Sequence, residues 1–349
     1  MSIQEAGSHS AQQSGLDPLD TPARAVHKMD VGGGLVLPGD FAEALAVTSK
    51  AKSTFPERQD DLYRRGEQLI LESVESGVTA MRAHVEVDTT VKMACLDVGL
   101  KLKEYFAAIS EVQLSVFAQD PLFNGGSDVP GQNYELLALA AARPGVEAVG
   151  SAPYVEHSVE AAKKNILLLF QLAEKYSLHL DFHLDYNLDP SSEPLIWFVL
   201  DHMRDRIRLG AWRRIQHVCI GHATRLTLWT DDEWTRFSKA VHDDGLPVSL
   251  VGLPQSDIYM MGRNVPYPGP PRGTLNAVRL AKEHSLKVAL AVNNVGNAFT
   301  PQGSPDPLAL CALGIALFQV GTRVDCQILL VSPPLLPIRG GEGELFLFI

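Results

Sequence analysis

Segments of helical and strand character alternate seven times along this chain, and this alternation constrains the fold more than any other feature. Each strand-like run follows an amphipathic segment after a short connection. The predicted strands cover 79–87, 111–119, 146–153, 178–186, 216–223, 247–254 and 287–294. Strict alternation is typical of a parallel sheet with right-handed crossovers. Seven or eight such units without a dinucleotide-binding fingerprint favour a (β/α)8 barrel of the TIM type over a doubly wound sheet.

The remaining strand of such a barrel should precede these units, and the sequence there is weak. Only residues 24–30, which include His27, and the short run 35–37 have any strand character. We therefore expect a barrel whose first strand is missing or degenerate. The chain divides into a disordered lead-in at 1–34, a barrel domain at 35–325 and an atypical tail at 326–349. The lead-in is rich in Ser, Gln, Gly, Asp and Pro, a composition that cannot build a core.

Charge and cysteine content narrow the class of protein. The formal net charge is −11 and no basic stripe stands out, which argues against a nucleic-acid partner. The four cysteines are widely spaced, as in proteins with reduced thiols. Neither a secretory leader nor an apolar run of membrane-spanning length is visible. We expect a cytoplasmic protein with no membrane partner, and exposed helices on an acidic barrel are compatible with a homo-oligomer.

Residues 178–186 form a strand with two unlike faces. Leu and Phe alternate with His179, Asp181, His183 and Asp185, which is the period of a strand. A polar stripe of this kind is costly in a core unless something pairs with it or binds it. One interpretation is a hydrogen-bonded ladder of His and Asp. The other is that His183, near the end of the strand, is a metal ligand.

In barrels of this type the chemistry lies at the carboxyl ends of the strands. The polar side chains at the predicted ends include His84, Glu86, Gln119, Asp120, His183, Asp185, His222 and Asn293. A single strand-end histidine is more often packed than ligating, but His183 and His222 hold matched positions on successive strands. Zn²⁺ and Fe²⁺ both accept neutral imidazole, and we expect the two rings within about 5 Å of each other. Catalytic sites use three or more protein ligands, so the set is incomplete and we expect the divalent metal to be weakly held.

Several segments resemble the cytosine deaminase branch of the amidohydrolase superfamily, in order, over about residues 40–323. The segments are 82–87 (RAHVEV), 116–119 (VFAQ), 149–153 (VGSAP), 181–185 (DFHLD), 221–224 (GHAT), and 261–263 (MGR) with 272–273 (RG). The resemblance implies a (β/α)8 barrel that holds one or two divalent metals and hydrolyses C–N bonds in cyclic amides, amidines or nucleobases. It implies that His183 is the metal ligand of the fifth family strand. It also implies that His222 binds metal or stabilises developing charge, and that Gln119 reads the amide edge of a pyrimidine.

The chain also departs from the family pattern. The first family strand ends in His-x-His, and only His27 is available here. The aspartate of the eighth strand, which orients the attacking water and moves its proton, is matched by Asn293, and an amide cannot carry a proton near neutral pH. The glutamate that follows the fifth-strand histidine is matched by Tyr186.

Two functions follow from these observations. The first is a metal-dependent hydrolase that acts on a small molecule, with His222, Asn293 and Asp185 as catalytic residues and Asp185 as the nearest candidate base. Gln119 would bind substrate, and the Pro-rich stretch 265–271 would act as a lid that sets specificity. The second is a degenerate barrel that binds a small molecule or a partner without turnover, favoured by the missing His-x-His and by Asn293.

Overall fold

The computed structural model describes residues 41–262, 273–331 and 346–348. Four features from the sequence therefore lie outside the described residues: the lead-in at 1–34, the two candidate first-strand segments, the proposed lid at 265–271, and Arg263 with Arg272.

A single parallel sheet organises the described part of the chain. Its order is β7–β6–β5–β4–β3–β2–β1–β8, and each neighbouring pair is parallel. The strands are β1 Ala80–Glu86, β2 Glu111–Ala118, β3 Val146–Ser151, β4 His179–Leu184, β5 Val218–His222, β6 Val248–Gly252, β7 Val288–Leu290 and β8 Phe346–Phe348. All seven predicted strands are confirmed as β1 to β7, and the sheet and its helices form a TIM-like α/β fold.

The position beside β1 differs from the prediction of a missing strand. Residues Phe346–Phe348 of the tail pair with Ala80–Arg82 of β1 and form β8. The predicted gap is thus not confirmed, because residues from the other end of the chain take the place of a first strand along this length. No pairing joins β7 to β8 among the described strands.

Helices separate the consecutive strands. They are α1 Phe41–Lys52, α2 Gln59–Glu75, α3 Ala94–Phe106, α4 Gln132–Ala141, α5 Val159–Tyr176, α6 Ile196–Arg208, α7 Asp231–Asp243, α8 Pro254–Met260, α9 Ala277–His284, α10 Pro307–Leu317 and α11 Arg323–Val331. Short 3₁₀ turns lie at Pro153–Val155 and Thr224–Leu228. None of the described helices is both long and apolar enough to cross a membrane.

Local capping explains where several helices begin. Ser158 accepts a hydrogen bond from the backbone of Ala161 at the start of α5. Thr230 and Glu233 form a reciprocal capping box at the start of α7. Each satisfies backbone donors that a helix end leaves without partners. The sequence therefore marks where α5 and α7 begin.

The last helix extends the unit past the predicted boundary at residue 325. Helix α11 crosses that position, and Leu329 within it is buried in the core. Asp325 pairs with Lys282 of α9 at 2.8 Å. The core contacts therefore continue into the stretch that the sequence assigned to an atypical tail.

Candidate active site

His183 lies near the carboxyl end of β4, among aromatic neighbours. Its ring centroid is 4.8 Å from that of His222 and 4.5 Å from that of Phe117. Gly221 on β5 leaves the space for this ring, because a Cβ there would lie 3.0 Å from His183 Cδ2. Burial, reinforced by the neighbouring histidines, holds the pKa of His183 well below its ordinary value. The ring is therefore neutral, which is the form that binds metal.

His222 ends β5 and is held by a carboxylate. Its Nδ1 lies 2.7 Å from Oδ1 of Asp257, whose side chain is completely buried. Its ring also packs on Tyr186 at a centroid distance of 4.1 Å. The two rings expected to share a metal, His183 and His222, are thus brought together at the ends of adjacent strands, as the metal hypothesis requires.

Asn293 follows β7 and reaches the same region. It lines one cavity together with His183, and its Nδ2 donates to Ser256 Oγ at 2.8 Å. The match of Asn293 to the family's proton-carrying aspartate rests on the sequence resemblance and stays a prediction. The group present is an amide that is engaged with a hydroxyl.

The cavity at this end of the sheet is small. The space open to a water-sized molecule is ≈ 20 Å³, which is sufficient for a water. Its polar lining comes from His84, Asp181, His183, Cys219 and Asn293. The apolar lining includes Leu253 and Val251.

Some polar residues of β4 form hydrogen bonds or ion pairs, as the ladder interpretation predicts, and one faces the cavity, as the metal interpretation predicts. Asp181 accepts from Arg82 at 3.0 Å and lies 3.4 Å from His84 Nε2. His179 Nδ1 accepts the backbone N–H of His217 at 3.0 Å. These two members of the stripe are therefore paired, as the ladder interpretation requires, while His183 faces the cavity.

His84 and Asp181 line the cavity but were not predicted as site residues. A signal for them was available, because Arg82, His84 and Glu86 occupy one face of a strand by period two. Asp257 had no such signal. It lies on α8, a seven-residue helix that the sequence pattern did not predict.

Asp185 does not share the strand geometry on which its predicted role depended. Strand β4 ends at Leu184, and Asp185 has φ +52, so alternation no longer places it beside His183. Its carboxylate accepts hydrogen bonds from the backbone of Leu195 at 2.8 Å and Ile196 at 3.1 Å. Burial nevertheless raises its pKa to about 6. The structure thus gives Asp185 a role at the start of α6, and its action as a base remains a prediction that this geometry does not favour.

Gln119 reaches the histidines through two tyrosines. Its Nε2 donates to the Tyr154 hydroxyl at 3.4 Å. The Tyr154 ring lies 5.5 Å from that of Tyr186, which packs on His222. Gln119 is only half-buried. Its predicted contact with substrate stays a prediction.

Three carboxylates at or beyond the ends of β1 and β2 share one partner, the ammonium group of Lys52. Lys52 Nζ lies 3.1 Å from Glu86, 2.7 Å from Asp88 and 3.5 Å from Asp120. Burial alone would lower the pKa of Lys52, but these charges outweigh it and raise that pKa. The strand-end residues Glu86 and Asp120 therefore anchor α1 to this face of the sheet.

Three of the described non-glycine residues with positive φ lie at the candidate site. Asp185, His222 and Asn293 have φ of +52, +64 and +69, in the left-handed region that few residues other than glycine adopt. Each lies at or just after the end of a different strand. Strain of this kind persists where the surroundings over-determine it, and it is common at functional sites.

The described residues fit a divalent metal in kind but not in number. His183 and His222 supply two imidazoles, and the carboxylate behind His222 is a common partner of a ligating histidine. No group of three or more His, Cys, Asp or Glu within the described ranges is arranged to hold a metal. Two donors fall short of the usual three.

Solved structures share this fold. A 5-methylcytosine deaminase from Klebsiella pneumoniae matches with a TM-score of 0.72 at 21% identity, over 84% of this chain and 66% of that one. An N-isopropylammelide isopropylaminohydrolase from Burkholderia multivorans matches with a TM-score of 0.63 at 22% identity, over 86% and 68%. An adenosine deaminase from Xanthomonas campestris with bound zinc matches with a TM-score of 0.53 at 15% identity, over 86% and 61%.

No family model and no curated protein sequence matches the chain. The chain spans about two thirds of the length of the solved structures that it resembles. At these identities the likeness shows the fold alone. The chain has the TIM-like fold of these deaminases and of this aminohydrolase, which is the fold that the resemblance of its motifs implied.

Proposed function

We propose that this chain is a metal-dependent hydrolase of the amidohydrolase superfamily that cleaves non-peptide C–N bonds in a small cyclic amide, amidine or nucleobase-like substrate. One observation carries the proposal. A neutral His183 and a carboxylate-held His222 meet at the ends of adjacent strands, 4.8 Å apart, in a barrel with the fold of two deaminases and an aminohydrolase.

The residues would divide the work as follows. His183 would hold a zinc or iron ion, and His222 would bind the same ion or stabilise charge on the substrate. When bound, a divalent ion of this kind supplies Lewis-acid activation of water. Gln119 would orient the ring of the substrate.

The alternative is a barrel that binds a small molecule without turnover. The amide of Asn293 favours it, because the residue that should move a proton has none to exchange near neutral pH. The shortage of metal ligands among the described residues also favours it.

Metal content and turnover measured on the same protein separate these functions. Purified full-length protein is supplied with zinc or iron, dialysed, and analysed for metal and for release of ammonia or amine from a panel of cyclic amides and amidines. We expect bound metal and turnover, both lost in His183→Asn. His242→Gln is the matched control, since His242 is exposed on α7. A chain that binds panel compounds but holds no metal and releases no amine is the non-catalytic barrel.

A further inference from the structure

Asp257 is a buried carboxylate fixed at both oxygens. It lies on α8 and is 0% exposed. Its Oδ2 accepts the backbone N–H of Leu253 at 3.1 Å and the hydroxyl of Thr274 at 2.8 Å. Its Oδ1 lies 2.7 Å from His222 Nδ1. Two donors fix Oδ2, and an ionised carboxylate has no hydrogen of its own, so Oδ1 can only accept from the imidazole.

This contact selects one form of the His222 ring. A carboxylate that only accepts requires the hydrogen on Nδ1, so in the neutral ring Nε2 keeps its free lone pair. The other contacts of the ring, the face of Tyr186 and the edge of His183, do not discriminate between the two nitrogens. Among the residues that the structure describes, Asp257 is therefore the contact that selects the tautomer.

We propose that Asp257 is a positioning residue that holds His222 in its Nδ1–H tautomer and so presents a basic Nε2. What Nε2 then binds, a metal ion or the substrate, rests on the proposed function. The tautomer itself does not.

The hydrogen bond between Asp257 and His222 also fixes the position of the ring, because the backbone turns at His222. His222 has φ +64 and the next residue, Ala223, has φ +48, so the chain turns sharply where the ring is attached. Asp257 anchors the ring to α8, the helix that follows β6, and thereby joins the end of β5 to the segment after β6. The same hydrogen bond thus sets both the position of the imidazole and its proton.

Asp257→Asn reverses the polarity of the contact with little change in shape. The asparagine oxygen can keep the donors from Leu253 and Thr274, which leaves the NH₂ group facing His222 Nδ1. An N–H donor there requires a bare Nδ1 and moves the hydrogen to Nε2. The substitution therefore blocks the lone pair that the wild-type protein presents.

The primary measurement is the tautomer of His222 in metal-free, full-length protein. Long-range ¹H–¹⁵N correlation spectra of histidine-labelled protein are recorded at roughly pH 9, well above the ordinary histidine pKa of ~6.5. His222→Gln assigns the signal. We expect the Nδ1–H pattern in wild type and the Nε2–H pattern in Asp257→Asn. A wild-type Nε2–H pattern overturns the proposal even if the variant does not fold.

The second measurement is zinc affinity, followed by competition with a chelating dye. Loss of a carboxylate behind a ligating histidine typically weakens metal binding about 10–100-fold, and we expect a loss in this range for Asp257→Asn. Ser238→Ala is the structural control, because it removes another buried hydrogen bond, the one to the His284 carbonyl at 2.7 Å. It should lower stability and leave the His222 tautomer and zinc affinity unchanged.

The two readouts separate this inference from the function on which its second half rests. A variant that keeps the Nδ1–H pattern overturns the positioning role. A shifted tautomer with unchanged zinc affinity overturns the role in presenting Nε2 to metal. A wild-type chain that binds no metal and hydrolyses no substrate overturns the proposed function, while the tautomer still decides whether Asp257 positions His222.

Discussion

The ion pair between Arg82 and Asp181 offers a sharp test of how the interior of this barrel is stabilised. The two side chains are 1% and 3% exposed. Arg82 Nη1 on β1 lies 3.0 Å from Asp181 Oδ1 on β4. Arg82 also donates to Gln113 on β2 at 2.6 Å. Arg82→Met would leave Asp181 as a buried carboxylate without its arginine, with His84 Nε2 still 3.4 Å away. Breaking a buried pair by removing one partner costs about 3–5 kcal/mol, so we expect a loss of that size in the free energy of unfolding.

Removal of both charges should cost less than removal of one. Arg82→Met with Asp181→Leu leaves no buried charge, and apolar replacement of a whole buried pair is often close to neutral. We expect the double variant to recover at least half of the loss, the remainder reflecting the Gln113 oxygen that has lost its donor. Urea unfolding of wild type, both single variants and the double variant gives the coupling free energy.

The pH dependence of the single variant provides an independent check. Burial alone would raise the pKa of Asp181, but the charge of Arg82 outweighs it and holds that pKa well below its ordinary value. Without Arg82, burial should raise the pKa above the unfolded value, so the folded state takes up a proton more readily than the unfolded state. The deficit of Arg82→Met should therefore be larger at pH 8 than at pH 5. A single variant within about 1 kcal/mol of wild type, or a double variant as unstable as the single, refutes this reasoning.

Two further predictions concern His217 and the space beside His183. Burial lowers the pKa of His217 to about 3, so the neutral ring stabilises the fold fully above the unfolded pKa of ~6.5, and this stabilisation declines as pH falls towards 3. At roughly 1.36 kcal/mol per pH unit, the free energy of unfolding should drop by about 2–3 kcal/mol between pH 6.5 and 4.5. Urea titrations should find a smaller drop in His217→Gln, and a wild-type protein whose stability does not change with pH would contradict the prediction. Gly221→Ala would place a Cβ 3.0 Å from the His183 ring and should weaken zinc binding, measured by calorimetry, about tenfold. Gly125→Ala is the control, because the space around Gly125 is open, and it should leave zinc affinity unchanged. Equal zinc affinities in the two variants would show that the fit of the His183 ring is not critical.

The strands and most helices of this barrel could be predicted because their signals are local. Strand β5 occupies Val218–His222 within the predicted 216–223, and the capping box of α7 is readable as Thr230 followed by Glu233. Hydrophobic period and capping depend on neighbours within a few positions. They therefore survive without knowledge of the tertiary fold.

The contacts that complete the site are not local. His222 and Asp257 are separated by 35 positions and meet only because β5 and β6 are neighbours. Strand β8 joins β1 across most of the chain, and no pattern near Phe346–Phe348 predicts that pairing. The role predicted for Asp185 depended on strand alternation, which ends before this residue because its own backbone is left-handed.

The substitution Asn293→Asp tests whether a carboxylate at this position would carry protons in the reaction. The backbone does not require the amide, since φ +69 lies in a region that Asn and Asp both tolerate better than most residues. The side chain donates to Ser256 Oγ, and the hydroxyl can reverse its role and donate to a carboxylate, so the change should be accepted without loss of fold. A carboxylate there could exchange protons with the reacting water, and general acid–base help of this kind is worth roughly 10²–10⁴-fold. We expect Asn293→Asp to raise C–N hydrolysis in metal-supplied protein, measured as amine release, with Asp185→Asn as a parallel variant whose rate reports whether Asp185 contributes. If Asn293→Asp leaves the rate unchanged or lowers it while metal content is intact, protons in this barrel travel by another route, and the match between Asn293 and the family's aspartate is one of position without function.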